Sequence, residues 1–113
     1  MIEYINYKGK SHPVRIAYIA LNGFKKETGK SFDQIGDAMK KGDGMDLEVY
    51  EPLLFYGLKA GHAAEEIEFT FERDQMEAVL DECLWEFIAM IPKFMEAAGL
   101  GETGNRAQRR KKN

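Results

Sequence analysis

Between Met76 and Met95, eleven apolar side chains recur at helical spacing: Met76, Val79, Leu80, Cys83, Leu84, Phe87, Ile88, Met90, Ile91, Phe94 and Met95. At roughly 100° per residue they cover an arc of about 180°, wider than the roughly 100° stripe that packs a helix against one neighbour. Such a helix needs apolar cover on several sides, from its own domain or from another chain. Trp85 falls outside even this arc. Thr70 is the expected cap, Glu72 and Asp74 suit the positive end of the helix dipole, Pro92 should bend the helix, and Gly99 should stop it.

The elements that supply the cover are legible upstream. Ile2 to Tyr7 and His12 to Ile16 read as two strands joined at Lys8-Gly9-Lys10, with Pro13 restricted to an edge position because it cannot donate to a ladder. From Ile16 the period becomes helical, with Ile16, Ala20, Gly23, Phe24 and Glu27 on one face, Ile19 and Leu21 alongside, and Gly29 as a left-handed cap. Ser31-Phe32-Asp33-Gln34 is a capping box for a second helix presenting Phe32, Ile35 and Met39. A third, capped by Asp46, carries Leu47, Tyr50, Leu54, Gly57 and Leu58 and should end at Gly61. Pro52 lacks the N–H that would bond back to Glu48, which predicts a kink or break near Glu51. The expected fold is mainly α, a small bundle of about four helices with a short N-terminal β-hairpin.

Charge divides the chain in two. Residues 1–98 hold eleven basic and eighteen acidic side chains, a net −7, whereas residues 99–113 hold five basic and one acidic, a net +4. We read one domain over 1–98 and a flexible, disordered basic tail over 99–113. An apolar fraction of 44% and a charged fraction of 31% suit a soluble globular domain. No apolar run is long enough to span a bilayer, no signal peptide is evident, and the single cysteine suits a reducing compartment, so a cytoplasmic location is expected.

Signals of catalysis are weak. Cys83 lies within the apolar arc and reads as a small core hydrophobe. His12 and His62 stand apart from any second ligand at metal spacing and read as solvated loop residues, so neither a metal nor a cofactor is expected. Asp74, Glu77 and Asp81 form a solvated helix border, Glu65, Glu66 and Glu68 a connector cluster, and Gly42-Asp43-Gly44 a turn. Arg106, Arg109, Arg110, Lys111 and Lys112 could contact phosphates, and a small helical nucleic-acid-binding or regulatory protein is the alternative reading. Nucleic acid is disfavoured because the cluster lacks aromatics for stacking and the body is acidic. Leu84, Trp85, Ile88 and Met95 are the candidate partner-binding residues, since methionine and tryptophan suit adaptable contact surfaces.

The order of these elements, with Glu27-Thr28-Gly29, Ser31-Phe32-Asp33-Gln34-Ile35, Leu53-Leu54-Phe55-Tyr56-Gly57-Leu58-Lys59-Ala60-Gly61, Phe69-Thr70 and Val79-Leu80-Asp81-Glu82, resembles the tail assembly chaperones of long-tailed bacteriophages across roughly residues 5 to 98. Pro52 and Pro92 depart from the straight helices expected there. The resemblance implies a non-enzymatic virion-assembly protein, acting in the bacterial host cytoplasm or encoded by a prophage. It would bind the tape measure protein, keep it soluble, help the tail tube protein polymerise around it, and self-associate as a homo-oligomer. The family often makes a longer product by ribosomal frameshift, and Lys111-Lys112-Asn113 can be encoded AAA-AAA-AAC, a run that permits such a slip.

Overall fold

The computed structural model describes residues 1–31, 33, 34 and 47–97. Strands β1 (Glu3–Tyr7) and β2 (Lys10–Val14) form an antiparallel hairpin, followed by helices α1 (Tyr18–Thr28), α2 (Leu47–Ala64) and α3 (Met76–Ala97), the last preceded by a 3-10 turn at Arg73–Gln75. The chain is thus mainly helical. Three α-helices, rather than about four, occur among the described residues. The capping box at Ser31 is present, with Ser31 N–H donating to Gln34 Oε1 (2.7 Å) and Gln34 N–H to Ser31 Oγ (3.3 Å). Phe32, Ile35, Met39, Gly42-Asp43-Gly44, Asp46 and the basic tail lie outside the described residues.

The hairpin follows from its turn. Lys8 and Gly9 both have positive φ (51° and 77°), as the two-residue turns matched to strand twist require. Tyr7 opposite Lys10 closes that turn, and the alternation places Pro13, opposite Tyr4, at a position whose backbone faces away from β1. Pro13 therefore forfeits no ladder bond, and Arg15 N–H turns outward to Gly57 O of α2 (2.9 Å). Helix α1 ends as expected: Gly29 is left-handed (φ 78°) and its N–H bonds Lys25 O.

Helix α2 is the centre of the molecule and contacts α1, β2 and α3. It runs through Pro52 without the expected break. Pro52 stands five residues after the start, so the one bond it removes is that to Glu48 O in the first turn. Gly61 does not close the helix either. Three more helical residues, to Ala64, follow the glycine before Glu66 N–H bonds Ala63 O (3.2 Å) and Ile67 N–H bonds His62 O (2.9 Å), with Glu66 left-handed (φ 57°). Glu66 thus occupies the place usually held by glycine at a helix end. Gly57 and Gly61, one turn apart, face β2, and a Cβ on Gly61 would collide with the backbone of Pro13.

Helix α3 starts later than Thr70. Glu72 N–H donates to Gln75 Oε1 (2.7 Å) at the 3-10 turn, and the α-helix proper begins at Met76. The apolar arc is largely core: Met76, Val79, Leu80, Cys83, Phe87, Met90, Ile91, Phe94 and Met95 are all buried against α2 and β1. Its irregularity sits at Cys83 (φ −117°, ψ 20°), not at Pro92. Pro92 faces solvent, where water can satisfy the carbonyl it leaves unpaired. Cys83 instead lies between the two glutamates that fasten α3 to β1. Lys8 N–H donates to Glu82 Oε2 (2.7 Å) and Asn6 N–H to Glu86 Oε1 (2.9 Å), so side chains of a helix occupy the outer edge of β1.

No described helix is long and apolar enough to cross a membrane.

Candidate partner-binding surface

The four candidate partner residues separate into two groups. Trp85 is 78% exposed, and Leu84 and Ile88 beside it are half-buried at the margin of the core. Met95 is only 6% exposed and belongs to the core, which corrects its place on the surface. The α3 arc touches both α2 and β1, and Met95 is covered within it while Trp85 is not. The outward remnant is narrow: Trp85 at its centre, Leu84 and Ile88 along one flank. Arg106, Arg109, Arg110, Lys111 and Lys112 lie outside the described residues.

Asp74, Glu77 and Asp81, which precede Trp85 on the 3-10 turn and the first part of α3, are all exposed. They form the solvated border expected of them. Lys93 leans the other way, toward Glu3 on β1 (3.4 Å). Other exposed large apolar side chains among the described residues are Met1, Tyr4, Ile67, and Tyr18 and Ile19 at the start of α1, so Ile19 does not join that helix's buried face.

Polar convergence occurs elsewhere, and it is structural. Arg73 on the 3-10 turn forks onto Glu27 of α1 (Nη2 to Oε2, 2.6 Å; Nε to Oε1, 3.1 Å) and reaches Glu51 of α2 with Nη1 (2.9 Å). Tyr56 donates to Glu27 Oε1 (3.0 Å). The guanidinium bonds hold the Glu27 carboxyl below the usual carboxylate range, while burial and then Glu27 raise the Tyr56 phenol. A cleft of about 390 Å³ opens beside this cluster, lined by Glu27, Thr28, Lys30, Val49, Glu51, Pro52 and Arg73. The cluster joins residues 22 to 46 positions apart, a separation at which periodicity carries no signal.

The histidines also depart from expectation. His62 is 3% exposed, its Nδ1 lies 2.7 Å from Leu58 O, and its ring stacks on His12 (centroids 5.6 Å apart) among Phe69 and Phe71. Neither ring is a solvated loop residue: α2 continues past Gly61 and carries His62 inward, and β2 places His12 against it. Burial first, then His62 and Lys10, lowers the His12 pKa. The folded state therefore binds this proton less readily than the unfolded chain. Stability is full above the ordinary histidine range, near 6.5, and declines as pH falls toward the lower folded value. Thermal unfolding at about pH 7.5 and about pH 5.5 checks this: the midpoint should fall on acidification, and His12→Gln should flatten that fall.

Burial pushes the Cys83 thiol up to about 11, with Glu86 and Glu82 adding to the effect, so it is an unreactive core group as its position in the arc suggested. Among the described residues no cluster of three or more histidine, cysteine or acidic side chains is placed to hold a metal ion.

No family model matches this chain, and comparison with curated proteins and with solved structures returns no match.

Proposed function

We propose that this protein is a non-enzymatic tail assembly chaperone of a long-tailed bacteriophage, binding the tape measure protein and promoting assembly of the tail tube. The observation that carries the reading is the outward strip of α3, where an exposed Trp85 flanked by Leu84 and Ile88 continues a helix otherwise committed to the core. A largely helical, apolar client would meet that strip as one helix meets the face of another. The hairpin, the Gly29-capped α1, the Ser31 capping box, α2 and α3 follow one another in the order of elements on which the resemblance rests. The clustered charges around Arg73 join elements of the fold to one another, which suits a binding module.

Co-expression with the tape measure protein and capture of the complex tests this proposal. Trp85→Ala should weaken binding by about 30-fold, the level of an interface hot spot near 2 kcal/mol. It should leave folding stability within about 0.5 kcal/mol, because the side chain is a surface one. Retention of no tape measure protein, even with any frameshifted product present, would overturn the reading.

A further inference from the structure

The segment that joins α2 to α3 is held by its rings. Among the described residues, Glu68, Phe69, Thr70 and Phe71 form no backbone–backbone hydrogen bond. The chain is fixed on either side of them, by Ile67 N–H on His62 O (2.9 Å) and by Glu72 N–H on Gln75 Oε1 (2.7 Å). Between these points Phe69 and Phe71 are half-buried, while Glu68 and Thr70 are exposed. Phe71 meets His12 edge to face (centroids 4.9 Å apart) and lies 5.9 Å from His62 and 6.0 Å from Tyr7. Phe69 lies 5.3 Å from His62 and 5.5 Å from Phe55. Two imidazoles, one from β2 and one from α2, thus form much of the seat.

That seat is apolar only while the imidazoles are neutral. His12 stacks on the buried His62 at 5.6 Å, so a proton on each places two cations face to face away from water. Neither ring forms a hydrogen bond or ion pair with a carboxylate among the described residues. On β1 the neighbouring titratable group is Tyr7, with the Lys8 amine over its ring (5.4 Å). On β2 it is Lys10, whose charge opposes that of His12. On α2, Lys59 is exposed. In the connecting segment Glu65 accepts from Tyr4 Oη, and Glu66, Glu68 and Glu72 are exposed. Segments with few backbone bonds open locally, ahead of the whole fold, and histidine is the side chain whose ordinary titration falls between about pH 5 and 8.

We propose that the His12–His62 pair is an acid-operated clasp: protonation of the pair releases Phe69 and Phe71 and opens residues 68–71, while the hairpin, α1 and the α2–α3 core stay folded. The open form takes up the proton more readily, because burial, then His62 and Lys10, disfavours charge on His12 in the closed one.

Hydroxyl-radical footprinting of the full chain reads ring exposure residue by residue. Between about pH 7.5 and about pH 5.5, oxidation of Phe71 should rise about three-fold, while that of the fully buried Phe24 and Phe87 stays level. Lys10→Gln removes a repelling cation at an exposed position and should move the rise to higher pH. His12→Gln should lose most of the rise. Equal Phe71 oxidation at the two pH values would overturn the proposal, as would a rise that persists in full in His12→Gln. A parallel rise at Phe24 and Phe87 also overturns it, since that is unfolding of the whole domain. An unshifted profile in Lys10→Gln removes His12 as the sensor and has the same consequence. No partner enters the measurement, so its outcome is independent of the chaperone reading.

Discussion

Gly61→Ala should destabilise the protein by about 3 kcal/mol or more, at the upper end of overpacking penalties. In an exposed helix the same change stabilises by about 1 kcal/mol, because alanine is the better helix former. The sign reverses here because of what faces the glycine. A Cβ at Gly61 would lie 2.5 Å from the Pro13 carbonyl carbon and 2.9 Å from Val14 N, and these are backbone atoms of β2 that cannot rotate aside. At Gly57 a Cβ would meet the tips of Ile16 (2.8 Å) and Val14 (2.9 Å), which can move, so Gly57→Ala should be milder. The urea midpoint should drop with an unchanged slope. Ala63→Gly, exposed and two residues further on, should lose only about 1 kcal/mol of helix propensity. A Gly61→Ala protein as stable as the original would refute the close approach of α2 to β2.

Phe87→Ala should remove about 3–5 kcal/mol, the usual range for emptying a buried phenylalanine site. The ring is fully buried and meets Tyr50 of α2 edge to face, with centroids 6.3 Å apart. The deletion therefore opens a cavity in the core between α2 and α3. Against a total stability of about 5–15 kcal/mol, that loss leaves a protein close to unfolding at physiological temperature. Phe87→Leu, which keeps most of the volume, should lose no more than about 1.5 kcal/mol. The comparison with Trp85 separates core from surface on one helix. Two aromatic residues two positions apart should differ by several kcal/mol in stability, and the surface one should carry the loss of binding. Chemical denaturation of the three variants distinguishes them.

Short-range signals explain most of what was legible beforehand. Lys8-Gly9 turned the hairpin, Gly29 capped α1 and Ser31-Gln34 formed its box, because each depends on residues within four positions of one another. The width of the α3 arc correctly implied cover on more than one side. Helix ends marked by a single residue type were less secure. Gly61 resembled a terminator yet serves as a spacer, and α2 ends at Ala64 with the left-handed position just beyond it taken by Glu66, a residue type with no special tendency to adopt that conformation. Pro92 resembled a hinge, whereas the irregular residue is Cys83, beside the glutamates that grip β1.

The candidate surface divides in the same way. Periodicity alone set Trp85 apart from the arc, and its exposure follows from that angle. Periodicity could not separate Met95 from its neighbours, because inclusion in a 180° arc leaves open which part of the arc the other elements reach. His12 and His62 were read apart since fifty residues separate them, and only the packing of β2 on α2 stacks their rings.

Residue order by itself determined the mainly helical class, the hairpin and its turn, the apolar arc of α3 and the opposition of an acidic body to a basic tail, all of which rest on periodicity, caps and composition. The tertiary structure alone decided that most of this arc is spent inside one subunit, that Gly61 marks a contact and not an end, that Glu27, Glu51 and Arg73 meet, and that Trp85 rather than Met95 faces outward. These depend on distances between segments far apart in the chain, which are set by packing and leave no periodic trace in the sequence.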